Sequence, residues 1–408
     1  MKQIKVGCIG LGKRGTNMLK TILNMCKNVD VVAVCDLYED RASDAATLVN
    51  ESRGNIPFKT TDAYEVLQID EIDAIIIFTS WESHIDLVIK AMEAGKYVGV
   101  EVGGAYSIND CYRLIEAYER TGVPCMLLEN CCYGNTELTV LNMVRLGMLG
   151  EIVHCSGGYH HELREEVASG IEKRHYRLRN YLNRNCENYP THELGPIAKV
   201  LNINKGNRML TLSSFASKSR GLKHYINEHA DLFPHLVNVE FKQGDIITTV
   251  ITCADGSTIT LTLDTTLPRA YSRGFTVRGT KGSYFEDTDM VFLDDPEADH
   301  INAKKYWGNA SEYKEKYKHP LWKKYESIAK EAGHDGMDYM VLSAFFEAVE
   351  KKAETPIDVY DMASWMCITT LSEESINKGG MPVSIPDFTN GKWFMCEQKE
   401  NKLEFSLD

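Results

Sequence analysis

The stretch Ile4-Lys5-Val6-Gly7-Cys8-Ile9-Gly10-Leu11-Gly12-Lys13-Arg14-Gly15 decides the fold. Its first six residues are an apolar strand pattern, its last six spell G-x-G-x-x-G, and a helical pattern follows. Between a strand and a helix, this motif reads as a dinucleotide-binding turn. Gly10 allows the tight turn, Gly12 the approach of a pyrophosphate, and Gly15 close packing of the helix on the strand. The pyrophosphate then lies at the positive end of that helix. Asp36 closes the second predicted strand, 21 residues beyond Gly15. An acid there accepts the adenosine ribose hydroxyls and repels a 2′-phosphate, so NAD is expected rather than NADP. Arg14 is read as flanking the diphosphate. The bland alternative is a Gly-rich turn with no ligand.

Outward from this turn, apolar runs recur at Ile4–Ile9, Val29–Cys35, Ala74–Phe78, Tyr97–Val100 and Val123–Leu128. Helical patterns such as Ser83–Ala94 and Ile108–Arg120 separate them. Continuous apolar strands alternating with helices predict a doubly wound parallel sheet, a Rossmann domain over residues 1–130. After Gly150 the rhythm changes. Strand-like segments follow one another at Met209–Phe215, Asn238–Phe241, Ile246–Cys253, Thr258–Asp264 and Phe275–Arg278. The turn pairs Gln243-Gly244 and Asp255-Gly256 lie between them, and Asp-Gly is a strong hairpin signal. Residues 131–408 are therefore expected to form an α+β substrate domain. Its open, mostly antiparallel sheet carries helices on one face. Helices are predicted at Met337–Lys351 and Val359–Ser375, and the tail from Pro382 to Phe388 is expected to wrap an existing surface.

Composition narrows the class. The chain has 408 residues, 43% hydrophobic and 25% charged, as in soluble globular proteins of two or three domains. The formal net charge of −13 repels phosphate backbones and anionic lipids, so neither nucleic acid nor a membrane is an expected partner. No run of about 18 apolar residues is present. The N-terminus enters a strand directly, with no signal-peptide pattern. The 12 cysteines are scattered and form no C-x-x-C, so reduced thiols, a cytoplasmic location and no metal are expected. His160-His161 is the weak exception, without a third ligand nearby in sequence.

Two further segments end predicted parallel strands, where ligands bind in such sheets. They are Thr79-Ser80-Trp81-Glu82-Ser83-His84 and Glu101-Val102-Gly103-Gly104. Trp81 reads equally as a surface aromatic and His84 as a helix-face residue. The β-α repeat, the Gly-rich turn and the acid after the fourth strand resemble the glucose–fructose oxidoreductase and inositol dehydrogenase superfamily. That superfamily usually carries Glu-Lys-Pro where this chain has Glu101-Val102-Gly103, and its Lys assists hydride transfer. Val102 in its place disfavours a simple polyol dehydrogenase.

The rest of the chain resembles one branch, the NAD-dependent α-N-acetylgalactosaminidases of glycoside hydrolase family 109. The matching segments are Leu128-Glu129-Asn130-Cys131-Cys132-Tyr133, Tyr189-Pro190-Thr191-His192, Pro268-Arg269-Ala270-Tyr271-Ser272-Arg273, Gly333-His334-Asp335-Gly336-Met337-Asp338 and Asp358-Val359-Tyr360-Asp361. The resemblance implies NAD contacts at Lys13, Arg14, Asp36, Trp81, Glu82, Ser83, His84, Glu101, Val102 and Asn130. It implies sugar contacts at Tyr159, Arg177, Tyr189, Pro190, Thr191, His192 and Tyr271. Departures border the sugar pocket: a shorter segment from Leu163 to Lys173, Glu193 for Gly, Ser83 for Trp and Gly103 for Pro. Many family members also carry an export signal. Relatives bury the open sheet face between subunits, so a dimer or tetramer is expected.

The resemblance further implies glycoside hydrolysis by oxidation at carbon 3, loss of the carbon-2 proton, elimination of the aglycone, addition of water and reduction. NAD ends unchanged and the protein supplies position and proton transfer. Ordinary glycosidases use a carboxylate pair instead. Tyr159 and His192 are the expected proton carriers, with His161 as a third candidate. His titrates near neutrality unaided, whereas Tyr needs a nearby cation such as Arg177, Arg269 or Arg273. Glu129 and Arg177 would hold sugar hydroxyls and Tyr271 would close the pocket. Each has a bland reading. Tyr159 fits a half-buried strand, His192 a helix start, and Glu129 a pair with a surface Arg. Two other functions compete: an NAD-dependent sugar oxidoreductase with net oxidation, and a non-catalytic sugar sensor that keeps NAD as a structural part.

Overall fold

Strands β1 (Ile4–Ile9), β2 (Val29–Cys35), β3 (Phe58–Thr60), β4 (Ala74–Ile77), β5 (Tyr97–Val100) and β6 (Cys125–Leu127) form a sheet in the order β3-β2-β1-β4-β5-β6. A computed structural model describes residues 3–395 and 403–407. Every pairing in this first sheet is parallel. Helices α1 (Lys13–Met25), α2 (Glu39–Arg53), α3 (Ala63–Leu67), α4 (Trp81–Glu93) and α5 (Ile108–Thr121) make the crossovers. Ile75, Ile76 and Ile77 are fully buried, which is why these strands read as unbroken apolar runs; each contributes about 1.5–3 kcal/mol. The strand order reverses between β1 and β4. The loops after these two strands therefore diverge and leave a crevice at the carboxyl edge.

The second part continues with α6 (Asn135–Arg145), β7 (Ile152–His160), α7 (Arg164–Ala168), α8 (Arg177–Asn183), α9 (Thr191–Val200), β8 (Met209–Ala216) and α10 (Gly221–Glu228). Strands β9 (Ile246–Cys253), β10 (Thr258–Asp264), β11 (Thr276–Gly279), β12 (Gly282–Phe285) and β13 (Met290–Leu293) follow. Helices α11 (Ala310–Lys316), α12 (Pro320–Ala329), α13 (Met337–Lys351) and α14 (Val359–Asn377) and strand β14 (Val383–Ser384) complete it. The sheet order is β13-β12-β11-β7-β10-β9-β8-β14. All pairs are antiparallel except β7 with β10, so the sheet is mixed.

Two expectations are corrected here. Asn238–Phe241 is no strand; Phe241 is buried, but the segment lies in turns and irregular chain. Apolar alternation of a loop laid on a core mimics a strand. The Pro-rich tail does more than wrap. Val383 and Ser384 pair with Leu212 and Thr211 as a short edge strand, with Pro382 and Pro386 on either side, the position where Pro is tolerated in a sheet.

One face of the second sheet carries Tyr159, Leu261 and Ile251 into the core beneath α9 and α14. The other, with Ser213, Phe215, Val250 and Thr260, is open, and Phe215 and Val250 are exposed. Helices α13 and α14 pack back on the first domain, against α1, β1, α5 and β6. Asp358 caps α14 by accepting from the Tyr360 and Asp361 N–H groups at 2.9 and 3.0 Å, which gives the Asp358–Asp361 segment a structural role. The cysteines among the described residues are buried and unpaired; Cys396 lies outside them. No helix among the described residues is long and apolar enough to cross a membrane.

Candidate active site

Gly10 adopts φ +90° at the end of β1, and a Cβ there would lie 2.5 Å from the Thr79 backbone nitrogen. A Cβ on Gly15 would lie 1.9 Å from the Gly10 carbonyl oxygen. Gly12, by contrast, sits at the N-cap of α1 with only the Arg41 guanidinium near, at 3.4 Å. Two glycines thus build the turn, and the third leaves its surface bare. Asp36 is buried and accepts from the Leu11 N–H (2.6 Å) and the Tyr38 N–H (2.9 Å), which ties β2 to the turn. Its placement and the bare helix terminus fit a dinucleotide. The segment between α7 and α8 crosses to this end. Arg174 forks onto Asp40 at 3.0 and 2.7 Å, and the Lys173 carbonyl accepts from Arg41 at 3.1 Å. Lys13 is exposed on the same turn.

Arg14 departs from its expected role. Its Nε donates to Glu101 at 2.6 Å, and Nη1 and Nη2 donate to Asp338 at 2.7 and 2.9 Å. The fork is spent on carboxylates rather than left to face a diphosphate. Asn130 donates to the same Asp338 at 2.8 Å, while the second Glu101 oxygen accepts from the buried Val102 N–H at 3.0 Å. Asp338 was missed as a site residue because its partner Arg14 is 324 positions away.

Residues 81–84 divide. Trp81 is buried, with its ring against Tyr176 (4.7 Å) and Tyr189 (5.6 Å), and its Nε1 has no hydrogen-bond partner. A Cβ on Gly103 would lie 2.6 Å from the Trp81 ring, so the indole occupies the space that the usual Pro would need. Ser83 donates to the Thr79 hydroxyl at 2.7 Å. His84 is core: its ring meets the Thr79 carbonyl at 3.0 Å, and burial pushes its pKa down to about 4. Glu82 is exposed and paired with Arg179 at 2.9 Å.

A second cluster lies on the core face of β7 and on α9. The Tyr159 and Tyr189 rings stack at 4.2 Å, and His192 meets both edge-on at 5.5 and 4.8 Å. Glu129, fully buried at the end of β6, accepts from His192 Nδ1 at 2.7 Å. Burial opposes its charge, yet the adjoining imidazole holds this carboxyl below the usual range. The proton belongs on Nδ1 by its carboxylate partner. Nε2, on the other side of the ring, meets the Tyr189 hydroxyl at 3.5 Å. Pro190 and Thr191 form the start of α9 and are buried. Arg177 lies over the Trp81, Tyr189 and Tyr159 rings at 5.4, 4.9 and 5.8 Å, with Nη1 buried and without a hydrogen-bond partner.

The expected activation of Tyr159 by a cation is corrected. Burial outweighs Arg177 and pushes the hydroxyl up to about 12. Arg269 and Arg273 are engaged elsewhere, by Asp264 at 2.7 Å and by Glu137. Tyr159 therefore keeps its proton, and its hydroxyl meets His161 Nδ1 at 2.9 Å. Burial, then Arg177, lowers the His161 pKa, which suits it to accept. His161 also meets the half-exposed Tyr271 ring edge-on at 5.1 Å. His160 cannot join it as a metal ligand, since consecutive strand residues face opposite sides.

Glu193 is buried against Gly157, and Arg273 reaches it at 3.3 Å. Burial outweighs that cation and raises its pKa well above the usual carboxylate value. Glu129, Cys131 and His192 bring their donor atoms within 4.8 Å of one another. The Glu129–His192 hydrogen bond already accounts for two of them. Burial raises the Cys131 thiol pKa.

Residues 133–395 match the family described as glycosyl hydrolase 109, C-terminal domain. Residues 4–128 match the oxidoreductase family with an NAD-binding Rossmann fold. The chain is similar to an alpha-N-acetylgalactosaminidase of Tannerella forsythia, 37% identical over 96% of this chain and 87% of the relative. A glycosyl hydrolase family 109 protein of Stenotrophomonas maltophilia is also 37% identical, over 100% of this chain and 92% of its own length. Among solved structures, scyllo-inositol dehydrogenase from Lactobacillus casei with bound NAD(H) and scyllo-inositol shares 13% identity at a TM-score of 0.64, covering 94% and 99% of the two chains. An oxidoreductase from Agrobacterium radiobacter in complex with NAD+, L-tartaric acid and magnesium shares 16% at 0.65, covering 94% and 98%. At such identities these two likenesses concern the fold alone.

Proposed function

The chain belongs to glycosyl hydrolase family 109, and from that premise we propose that it is an NAD-dependent glycosidase acting on terminal α-linked N-acetylgalactosamine or a related hexose. The observation that carries the reading is the Glu129–His192 pair beside the stacked Tyr159 and Tyr189, with Arg177 across the rings. NAD, when bound, supplies reversible hydride acceptance, which makes the carbon-2 hydrogen of a sugar acidic through a transient carbon-3 ketone. The Gly10–Gly15 turn and Asp36 would hold its adenosine and diphosphate, and Glu101, Val102 and Asn130 its nicotinamide half. His192 Nε2 takes the carbon-2 proton, and Glu129 stabilises the imidazolium that forms. Tyr159, still protonated, gives a proton to the departing aglycone oxygen and regains one through His161, which takes up the proton that the carbon-3 hydroxyl loses with its hydride, receives the proton that the adding water sheds, and returns a proton to the carbon-3 oxygen on reduction. Arg177 Nη1 holds the sugar oxygen on which negative charge develops. Water then adds at carbon 1, and the proton returns to carbon 2 from His192.

Turnover of an aryl α-N-acetylgalactosaminide in heavy water tests this directly. Deuterium is expected at carbon 2 of the released sugar, with no net growth of the NADH absorbance band. Product without deuterium would rule out the elimination, and steady NADH accumulation would make the enzyme a net oxidoreductase instead.

The partner proposed for the open sheet face, with its exposed Phe215 and Val250, is a second copy of the chain. Light scattering at micromolar concentration is expected to give a dimer or tetramer; a monomer mass would refute it. The buried free thiols suit a reducing compartment such as the cytoplasm.

A further inference from the structure

The geometry points to Asp338 as the positioning residue of the nicotinamide half of the cofactor site, held by a strained turn that presents His334 to it. His334, Asp335 and Gly336 adopt φ of 50°, 51° and 95°, three left-handed residues in succession. For the two that are not glycine this conformation is strained, so surrounding contacts must over-determine the turn. Asp338, in the first turn of α13, supplies those contacts. Its Oδ2 accepts from His334 Nδ1 at 2.8 Å and from Arg14 Nη1 at 2.7 Å. Its Oδ1 accepts from Arg14 Nη2 at 2.9 Å and from Asn130 at 2.8 Å. Burial opposes the charge, but the His334 and Arg14 hydrogen bonds hold this carboxyl well below the usual range.

Its partners come from separate parts of the parallel sheet. Arg14 follows β1 and Asn130 follows β6, while Arg14 itself reaches Glu101 after β5. In a sheet of this order the adenosine lies over the β1–β2 side, where Asp36 is, and the nicotinamide over the β4–β6 side. One carboxylate from the second domain therefore braces Asn130 directly and Glu101 through Arg14, both at the nicotinamide side; Arg14 is also its link to the Gly-rich turn, and Asp36, at the adenosine end, is not among its partners. Arg14 is a strut between Glu101 and Asp338. The Gly333–Asp338 motif is explained by this bracing, which no local sequence signal announces.

This inference rests on NAD binding at the Gly10–Gly15 turn. Its test compares two nucleotides on charcoal-stripped protein by calorimetry: NAD, and ADP as the adenosine half alone. Asp338→Asn keeps the shape and removes the charge. It is expected to weaken NAD roughly 10–100-fold while ADP affinity stays within about twofold of wild type. His334→Ala should move NAD affinity the same way by a smaller factor. The double variant Arg14→Gln/Asp338→Asn should be no worse than the weaker single variant, because the two side chains act as a unit. Parallel loss of NAD and ADP would mean a merely structural residue and overturn the inference, as would unchanged NAD affinity in Asp338→Asn. Wild-type protein that binds neither nucleotide would instead overturn the cofactor reading, and this inference with it.

Discussion

Replacing His192 with Ala is expected to lower kcat by about 10²–10⁴, the range for losing a positioned acid or base, with bound NAD unchanged. His192 sits on α9, and its links are to Glu129, Tyr159 and Tyr189 rather than to the Gly-rich turn. Glu129→Gln should approach the same loss while the imidazole stays in place. A neutral amide no longer stabilises the imidazolium, and its NH2 can turn to Nδ1 and favour the wrong tautomer. Tyr159→Phe should lose less if aglycone departure is not limiting, since only its proton is removed and the stack on Tyr189 remains. The assay is release of an aryl aglycone, alongside nucleotide released on denaturation. Full activity in His192→Ala would show that another group takes the proton. Loss of NAD or of the folded state in that variant would show that the ring is structural.

Gly10→Ala is expected to empty the protein of NAD and to cost roughly 2–4 kcal/mol of stability. Its Cβ would meet backbone atoms on both sides of the Phe78–Thr79 bond, at 2.6 and 2.5 Å, from a φ of +90°. Gly15→Ala should behave alike, because a Cβ at 1.9 Å from the Gly10 carbonyl drives α1 off the strand. Gly12→Ala is the informative contrast. Its nearest neighbour is the mobile end of Arg41, at 3.4 Å, so stability should hardly change. NAD should nevertheless be lost, since the methyl stands where the diphosphate approaches. Thermal unfolding and nucleotide content are the measurements. A Gly10→Ala protein that melts with wild type and keeps its NAD would contradict the role given to the turn.

What was legible in the sequence followed from periods and local sterics. Buried parallel strands are apolar throughout, so β1, β2 and β5 could be bounded to the residue. The glycines at 10, 12 and 15 announce a turn that only glycine builds, and Asp36 announces the acid after β2. The Tyr189–His192 segment could be read as an ensemble only through its resemblance to a family. Short β12 and β13, four residues each, are too brief to declare a period. The apolar alternation at Asn238–Phe241 declared one that no neighbouring strand took up.

Tertiary structure alone decided the electrostatics. A cation near Tyr159 was foreseeable, but whether it or burial wins depends on how much water reaches the hydroxyl, and here burial wins. Arg14 looked like a phosphate ligand because its sequence neighbours are the turn. Its true partners are Glu101, 87 positions on, and Asp338, 324 positions on. Glu129 and His192 meet across 63 positions because the turn after β6, at Asn130–Tyr133, packs against α9. Periodicity reports which face of an element is buried. It carries no information about which other element's charge will be buried against it, and that pairing sets the pKa, the tautomer and the brace.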